Sequence, residues 1–175
     1  MNYRTKTYLA GDWDGDKGLI SEIQKWNDSD KWALSFSDAH ELKQARDGSL
    51  YCSIKSSLAD RLNASKMFVL IVGKDTNVLT AGSCKYCSSY FSSTGNCQRN
   101  MHVDFRSYIR FECEKAAKDY QNGDIKVVVI YNYPYVYKDK CPEAVRNIGI
   151  HIPGIMRLFS GDHYNYYAIK KAIMG

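Results

Sequence analysis

Along the chain, short apolar runs alternate with stretches in which apolar residues recur every three or four positions. Lys6–Ala10 is an apolar-leaning segment that stops at Gly11-Asp12-Trp13-Asp14-Gly15-Asp16, a polar, glycine-containing turn signal. From Lys17 to Trp26, Leu19, Ile20, Ile23 and Trp26 fall at helical spacing and predict an amphipathic helix. Trp32–Phe36 alternates apolar and polar positions and predicts a second strand, followed by a polar, loop-like stretch from Ser37 to Ser49. Leu50, Ile54, Leu58 and Leu62 recur every four residues and predict a helix. Met67–Val72 is unbroken Met-Phe-Val-Leu-Ile-Val, the composition of a parallel strand covered on both faces.

A long segment containing Ser, Gly and Cys then runs from about residue 74 to 103. Its length inside a compact domain calls for a reason. Beyond it, Asp104 is read as the N-cap of a helix reaching about Tyr120, with Gly123 just past the end. Ile125–Tyr131 is a further buried strand. Cys141–Asn147 is read as a short helix with Pro142 in its first turn. Ile148–Ile152 is read as a last strand, and His163–Ile173 as the closing helix. Strands alternating with helices imply an α/β fold with a parallel sheet and right-handed crossovers. The expectation is one three-layer, flavodoxin-like domain over residues 1–175, with about five parallel strands and a Cys-rich insertion at about 74–103.

That topology directs attention to the residues just past each strand, because ligands of such sheets bind outside the carboxyl ends. They are Asp12 and Asp14, Asp38 and His40, Asp75, and Asn132. General loop polarity accounts for part of the set. Glu112 stands apart. On the helix after Asp104 the apolar stripe is Phe105, Tyr108, Ile109, Cys113, Ala116 and Tyr120, and Glu112 falls on this stripe. A carboxylate there is costly unless paired or used. It is therefore a partner of a nearby Arg, a residue at the rim, or a chemical group of the site. Arg110 and Glu114 are spaced to pair on the opposite, solvated face.

Composition narrows the function classes only modestly. Of the 175 residues, 45% are apolar and 25% charged, as in ordinary globular domains. The net charge of +5 is spread along the chain without a basic stripe, so nucleic acid is not the expected partner and a small anion suits as well. No apolar run approaches the roughly 20 residues that cross a bilayer, and Met1–Lys6 lacks a signal-peptide core. The expected location is cytoplasmic, with no membrane partner. In that setting the six cysteines read as thiols or metal ligands. Cys84-x-x-Cys87, Cys97 and His102 supply a complete tetrahedral set and make a candidate zinc site. The other reading is three free thiols and a surface histidine.

Several segments together resemble a known family. They are Tyr3-Arg-Thr-Lys-Thr-Tyr-Leu-Ala, Ser37-Asp-Ala-His-Glu-Leu, Ala45-Arg-Asp, Leu58-Ala-Asp-Arg-Leu-Asn-Ala-Ser-Lys, Phe68-Val-Leu-Ile-Val-Gly-Lys-Asp-Thr and Tyr108-Ile-Arg-Phe-Glu112. They are similar to the bacterial TIR-like domain family that includes the ThsB component of Thoeris antiphage systems. The last segment resembles the family's Trp-Val-Arg-Tyr-Glu helix, with Tyr in place of Trp. The resemblance implies that Glu112 is catalytic in cleaving NAD at the nicotinamide–ribose bond, with Asn132 also at the site. Asp12, Asp14, Asp38 and His40 would line the substrate pocket. It further implies an ADP-ribose-type product, cyclised in some members, acting as a messenger to a downstream effector. NAD is then a substrate, and homo-oligomers are expected. The alternative is a non-catalytic TIR-like module that binds nucleotide or protein.

Overall fold

The computed structural model describes residues 4–39 and 50–175. Its centre is a parallel four-stranded sheet made of β1 (Lys6–Ala10), β2 (Ser65–Val72), β5 (Lys126–Tyr131) and β6 (Ile150–Pro153), in the order β1-β2-β5-β6. Among the described residues the other strands are four short antiparallel ones. They form two hairpins, β3 (Tyr90–Phe91) with β4 (Asn96–Cys97), and β7 (Ile155–Leu158) with β8 (Gly161–Tyr164).

Alternation along the strands sorts the core into two faces. On one face Tyr8, Phe68, Leu70, Val129 and Tyr131 pack with residues of α2 (Tyr51–Asn63) and α3 (Tyr108–Gln121), such as Leu62, Cys113 and Ala116. On the other, Leu9, Val69, Ile71, Val128 and Ile130 meet Leu19, Ile20 and Ile23 of α1 (Lys17–Asp28) and Ile169 and Ile173 of α4 (Tyr166–Met174). The apolar residues spaced along α1 all face this layer, which is why that pattern forms a helix here. The result is the three-layer α/β arrangement of a TIR-like, flavodoxin-like fold.

The strand expected at Trp32–Phe36 does not form. A single parallel bridge, Thr7 to Asp38, marks the place beside β1 where a fifth strand would add. Two local features replace it. Ser35 adopts a left-handed conformation with φ 51°, which breaks an extended run. The Asn27 side chain takes both backbone groups of Phe36, accepting from its N–H at 2.9 Å and donating to its carbonyl at 3.0 Å. Leu34 is nevertheless buried, which explains the apolar alternation.

Three boundaries also differ from expectation. The N-cap of α3 is Ser107, whose hydroxyl accepts from the Arg110 N–H at 3.3 Å, while Asp104 pairs with Lys55 and Arg106 instead. Cys141–Asn147 contributes only a 3-10 turn at Glu143–Val145. The closing helix starts at Tyr166, capped by the Asn165 side chain, because His163 belongs to the β7–β8 hairpin. Among the described residues no helix is long and apolar enough to cross a membrane.

Candidate active site at the Glu112 cavity

A cavity of about 560 Å³ opens at the carboxyl end of β1. Its walls are β1 and the following loop (Tyr8, Asp12, Trp13, Asp14), α2 (Ile54, Leu58, Arg61), the loop around Leu79 and Ala81, and α3 (Tyr108, Ile109, Glu112). The volume lies in the range of small-molecule sites.

Glu112 reaches this cavity because it lies on the core-facing stripe of α3, three residues after Ile109 and one before Cys113, both buried. It is 8% exposed. The Tyr8 hydroxyl, from the adjacent strand, donates to Glu112 Oε1. Tyr8 is itself 1% exposed, and burial, followed by the Glu112 charge, holds its hydroxyl protonated well above the ordinary tyrosine range. The pair is thus a neutral donor on a buried carboxylate. The Arg61 charge acts on Tyr8 in the opposite sense, which places a cation beside the same pair. Arg61 is buried on α2 seven residues after Ile54, on the same helical face.

Tyr108 completes the wall. Its backbone N–H donates to Ala81 O at 2.8 Å, and its ring packs over Gly82, whose φ of 91° and lack of a side chain make room for it. Its hydroxyl is buried with no hydrogen-bond partner among the described residues. Burial, then the neighbouring Tyr51 and cysteines, raise its pKa far above the usual value.

Of the residues expected at the site, Glu112, Asp12 and Asp14 line this one cavity. Asp38 pairs through its backbone with Thr7 at the edge of β1, and its charge is felt by Tyr8. His40 lies outside the described residues. Asn132 does not line the cavity. It donates from Nδ2 to Asp16 Oδ1 at 2.8 Å, and its backbone N–H continues the sheet to Val72 O. Asp16 was not foreseen. It is 2% exposed under Gly73, and burial, despite the Asn132 hydrogen bond, raises its pKa. Tyr8, Arg61 and Tyr108 were also missed as site residues. A signal existed for Tyr8, since a tyrosine on an otherwise aliphatic strand needs a partner for its hydroxyl.

The Cys-rich segment is ordered without gathering its cysteines. Cys84 lies in a 3-10 turn at Cys84–Tyr86, its Sγ accepting from the Asp104 N–H at 3.4 Å. Cys97 pairs with Tyr90 in the β3–β4 hairpin, and His102 is exposed. Among the described residues no three His, Cys, Asp or Glu side chains are grouped so as to hold a metal. The set Cys84, Cys87, Cys97 and His102 is therefore not assembled as a zinc site in this structure. Backbone hydrogen bonds from Tyr108 to Ala81 and from Cys84 to Asp104 tie the segment to the start of α3.

No curated protein matches the chain. Residues 8–81 match the family model described as Thoeris protein ThsB, TIR-like domain. That span includes β1, α1, α2, β2 and the Leu79–Ala81 wall of the cavity, and ends before α3. Over residues 8–81 the chain is therefore similar to the ThsB TIR-like domain family, and the parallel sheet with its flanking helices is consistent with that fold.

Proposed function

We propose that the Glu112 cavity cleaves NAD at the nicotinamide–ribose bond and yields an ADP-ribose-type product that serves as an antiphage messenger. The observation that carries the reading is a buried carboxylate at a cavity of about 560 Å³, held by a tyrosine hydroxyl and faced by aromatic and cationic walls.

The residue types suit the chemistry. Ribosyl transfer passes through an oxocarbenium-like state, and a carboxylate fixed beside the ribose stabilises the positive charge as it develops. Glu112 supplies that charge, and Tyr8 holds its orientation. Nicotinamide leaves with the electron pair of the broken bond. Water then adds at the anomeric carbon to give ADP-ribose, or a nitrogen of the adenine adds and closes a ring. Arg61 suits the diphosphate. Trp13 and Tyr108 offer aromatic surface to the rest of the substrate.

The test is nicotinamide release from NAD by the wild-type chain beside Glu112→Gln, with circular dichroism to show that the variant folds. Release that disappears in a folded Glu112→Gln supports the reading. Equal release by both removes Glu112 from the chemistry.

A second reading is a non-catalytic module for protein or nucleotide binding. The β7–β8 hairpin favours it, because Phe159 at its turn is fully exposed and Leu158 and Tyr167 are at least half exposed. Sedimentation of the wild-type chain and Phe159→Ser tests it. Self-association lost in the variant supports that reading, and a monomeric wild type that retains turnover counts against it.

A further inference from the structure

A second and larger cavity, of about 760 Å³, lies on the other side of the start of α3. It shares Leu79 and Ile109 with the Glu112 cavity but is otherwise built from different residues. The insertion supplies one wall with Lys85 and Tyr86, α3 and the residues before it supply Phe105 and Arg110, and the segment after Pro142 supplies Arg146.

Three cations converge on this space, and each keeps donors to spare. Arg110 binds Glu114 through Nε alone, at 2.8 Å, which leaves its two terminal nitrogens without a partner among the described residues. Arg146 spends Nε and one terminal nitrogen on the Cys141 carbonyl, at 3.2 and 3.0 Å, and keeps the other. Lys85 has no ion pair among the described residues and sits over the neighbouring Tyr86 ring at 5.9 Å. Two carboxylates also line the cavity. Glu114 is already matched by Arg106 and Arg110, at 2.9 and 2.8 Å, and Glu143 is the second. Arginines with free terminal nitrogens are the side chains that grip phosphate oxygens in pairs.

The same walls carry two large aromatic rings turned to solvent, Tyr86 at 58% and Phe105 at 57% exposure. Phe105 is fixed edge-on against Tyr90 of the β3–β4 hairpin, with centroids 5.4 Å apart. Cations alone would suit any anion. Cations beside exposed, braced ring faces suit an anion that carries a planar base.

We propose that this second cavity binds a nucleotide, its phosphate on Arg110, Arg146 and Lys85 and its base on Tyr86 and Phe105. The site is separate from the Glu112 cavity and does not depend on turnover there. It does lie against Ile109, three residues from Glu112 on the same helix, so an occupant packs against the helix that carries the carboxylate.

Calorimetric titration of the full chain with AMP tests this, with inorganic phosphate and adenosine as separate probes. The variants are Arg110→Ala and Tyr86→Ala, both at exposed side chains, beside Glu112→Gln and Trp13→Ala in the other cavity. The expected result is AMP binding that Arg110→Ala and Tyr86→Ala each weaken about tenfold or more. Glu112→Gln and Trp13→Ala should leave it unchanged, and phosphate and adenosine should each bind more weakly than AMP. Absence of AMP binding overturns the proposal. So does phosphate binding as tightly as AMP with no effect of Tyr86→Ala, which makes the site a simple anion site. Binding weakened by Trp13→Ala but not by Arg110→Ala places the nucleotide in the Glu112 cavity alone; it overturns this proposal and leaves the NAD reading standing. Loss of turnover dependence on Glu112 with AMP binding intact does the reverse.

Discussion

Replacing Tyr8 with phenylalanine removes one oxygen from the centre of the site and little else. The ring stays packed against Phe68, with centroids 5.9 Å apart, and position 8 stays fully covered. What is lost is the hydrogen bond to Glu112, a carboxylate only 8% exposed. A hydrogen bond to a charged group contributes about 1.5–3 kcal/mol, and burial of both partners places this one inside that range. For a chain of this size each kcal/mol corresponds to a Tm change of about 2–4 °C, so Tyr8→Phe should melt about 3–12 °C lower. Thermal unfolding of Tyr8→Phe, Glu112→Leu and the double variant isolates the pair, since leucine removes the acceptor at similar volume. The double variant should be less destabilised than the sum of the singles by about 1 kcal/mol or more. Additive effects, within the roughly 0.3–0.5 kcal/mol seen for independent sites, would refute the claim that Tyr8 holds Glu112 in place.

Other expectations follow from neighbouring geometry. A methyl group on Gly73 would overlap the buried Asp16 carboxylate that Asn132 holds, so Gly73→Ala should cost about 1–3 kcal/mol in thermal unfolding, and an unchanged Tm would contradict the packing described. Partial burial disfavours ionised Asp104, but hydrogen bonds from Arg106 and the charges of Lys55 and Arg106 outweigh it and hold its pKa down at about 2, from an ordinary 3.8. A depressed carboxylate stabilises the fold above its ordinary pKa and loses that contribution as pH falls toward the folded value. Asp104→Asn should therefore cost on the order of 1–2 kcal/mol at neutral pH, and the difference from wild type should shrink between about pH 4 and pH 2; a pH-independent difference would contradict it. Because the described cysteines and His102 are not grouped, treatment with a chelator should leave the Tm unchanged, and a drop accompanied by one zinc released per chain would show that the set assembles in solution.

The layers of the fold were legible because each rests on a strong periodicity. The unbroken run at Met67–Val72 needed cover on both faces, and the residues from Leu19 to Trp26 needed a core on one side. The second strand was misread because alternation records which residues are buried, not which backbone groups are paired. Leu34 is buried as the pattern required, but Asn27 took the hydrogen bonds of Phe36. The β7–β8 hairpin was missed because a strand pair of four residues each leaves too short an alternation to separate from a loop. Within the site, Glu112 could be read from its place on an apolar stripe. Arg61 and Asp16 could not be placed, because their burial depends on contacts distant in sequence: the cavity between α2 and α3 for one, and Gly73 and Asn132 for the other. The spacing of Cys84, Cys87, Cys97 and His102 records a ligand composition, whereas grouping depends on side-chain directions that spacing does not carry, and among the described residues no three such side chains are grouped.

Everything proposed for this cavity turns on whether the buried carboxylate of Glu112 is needed to break the nicotinamide–ribose bond. The most direct test is mass spectrometry of NAD incubated with the purified wild-type chain and with Glu112→Gln, in buffer and in extracts of phage-infected cells. The wild type should give nicotinamide and an ADP-ribose-type product, and the variant should leave NAD intact. Intact NAD with the wild-type chain in every condition, or equal products from both proteins, would contradict that role for Glu112.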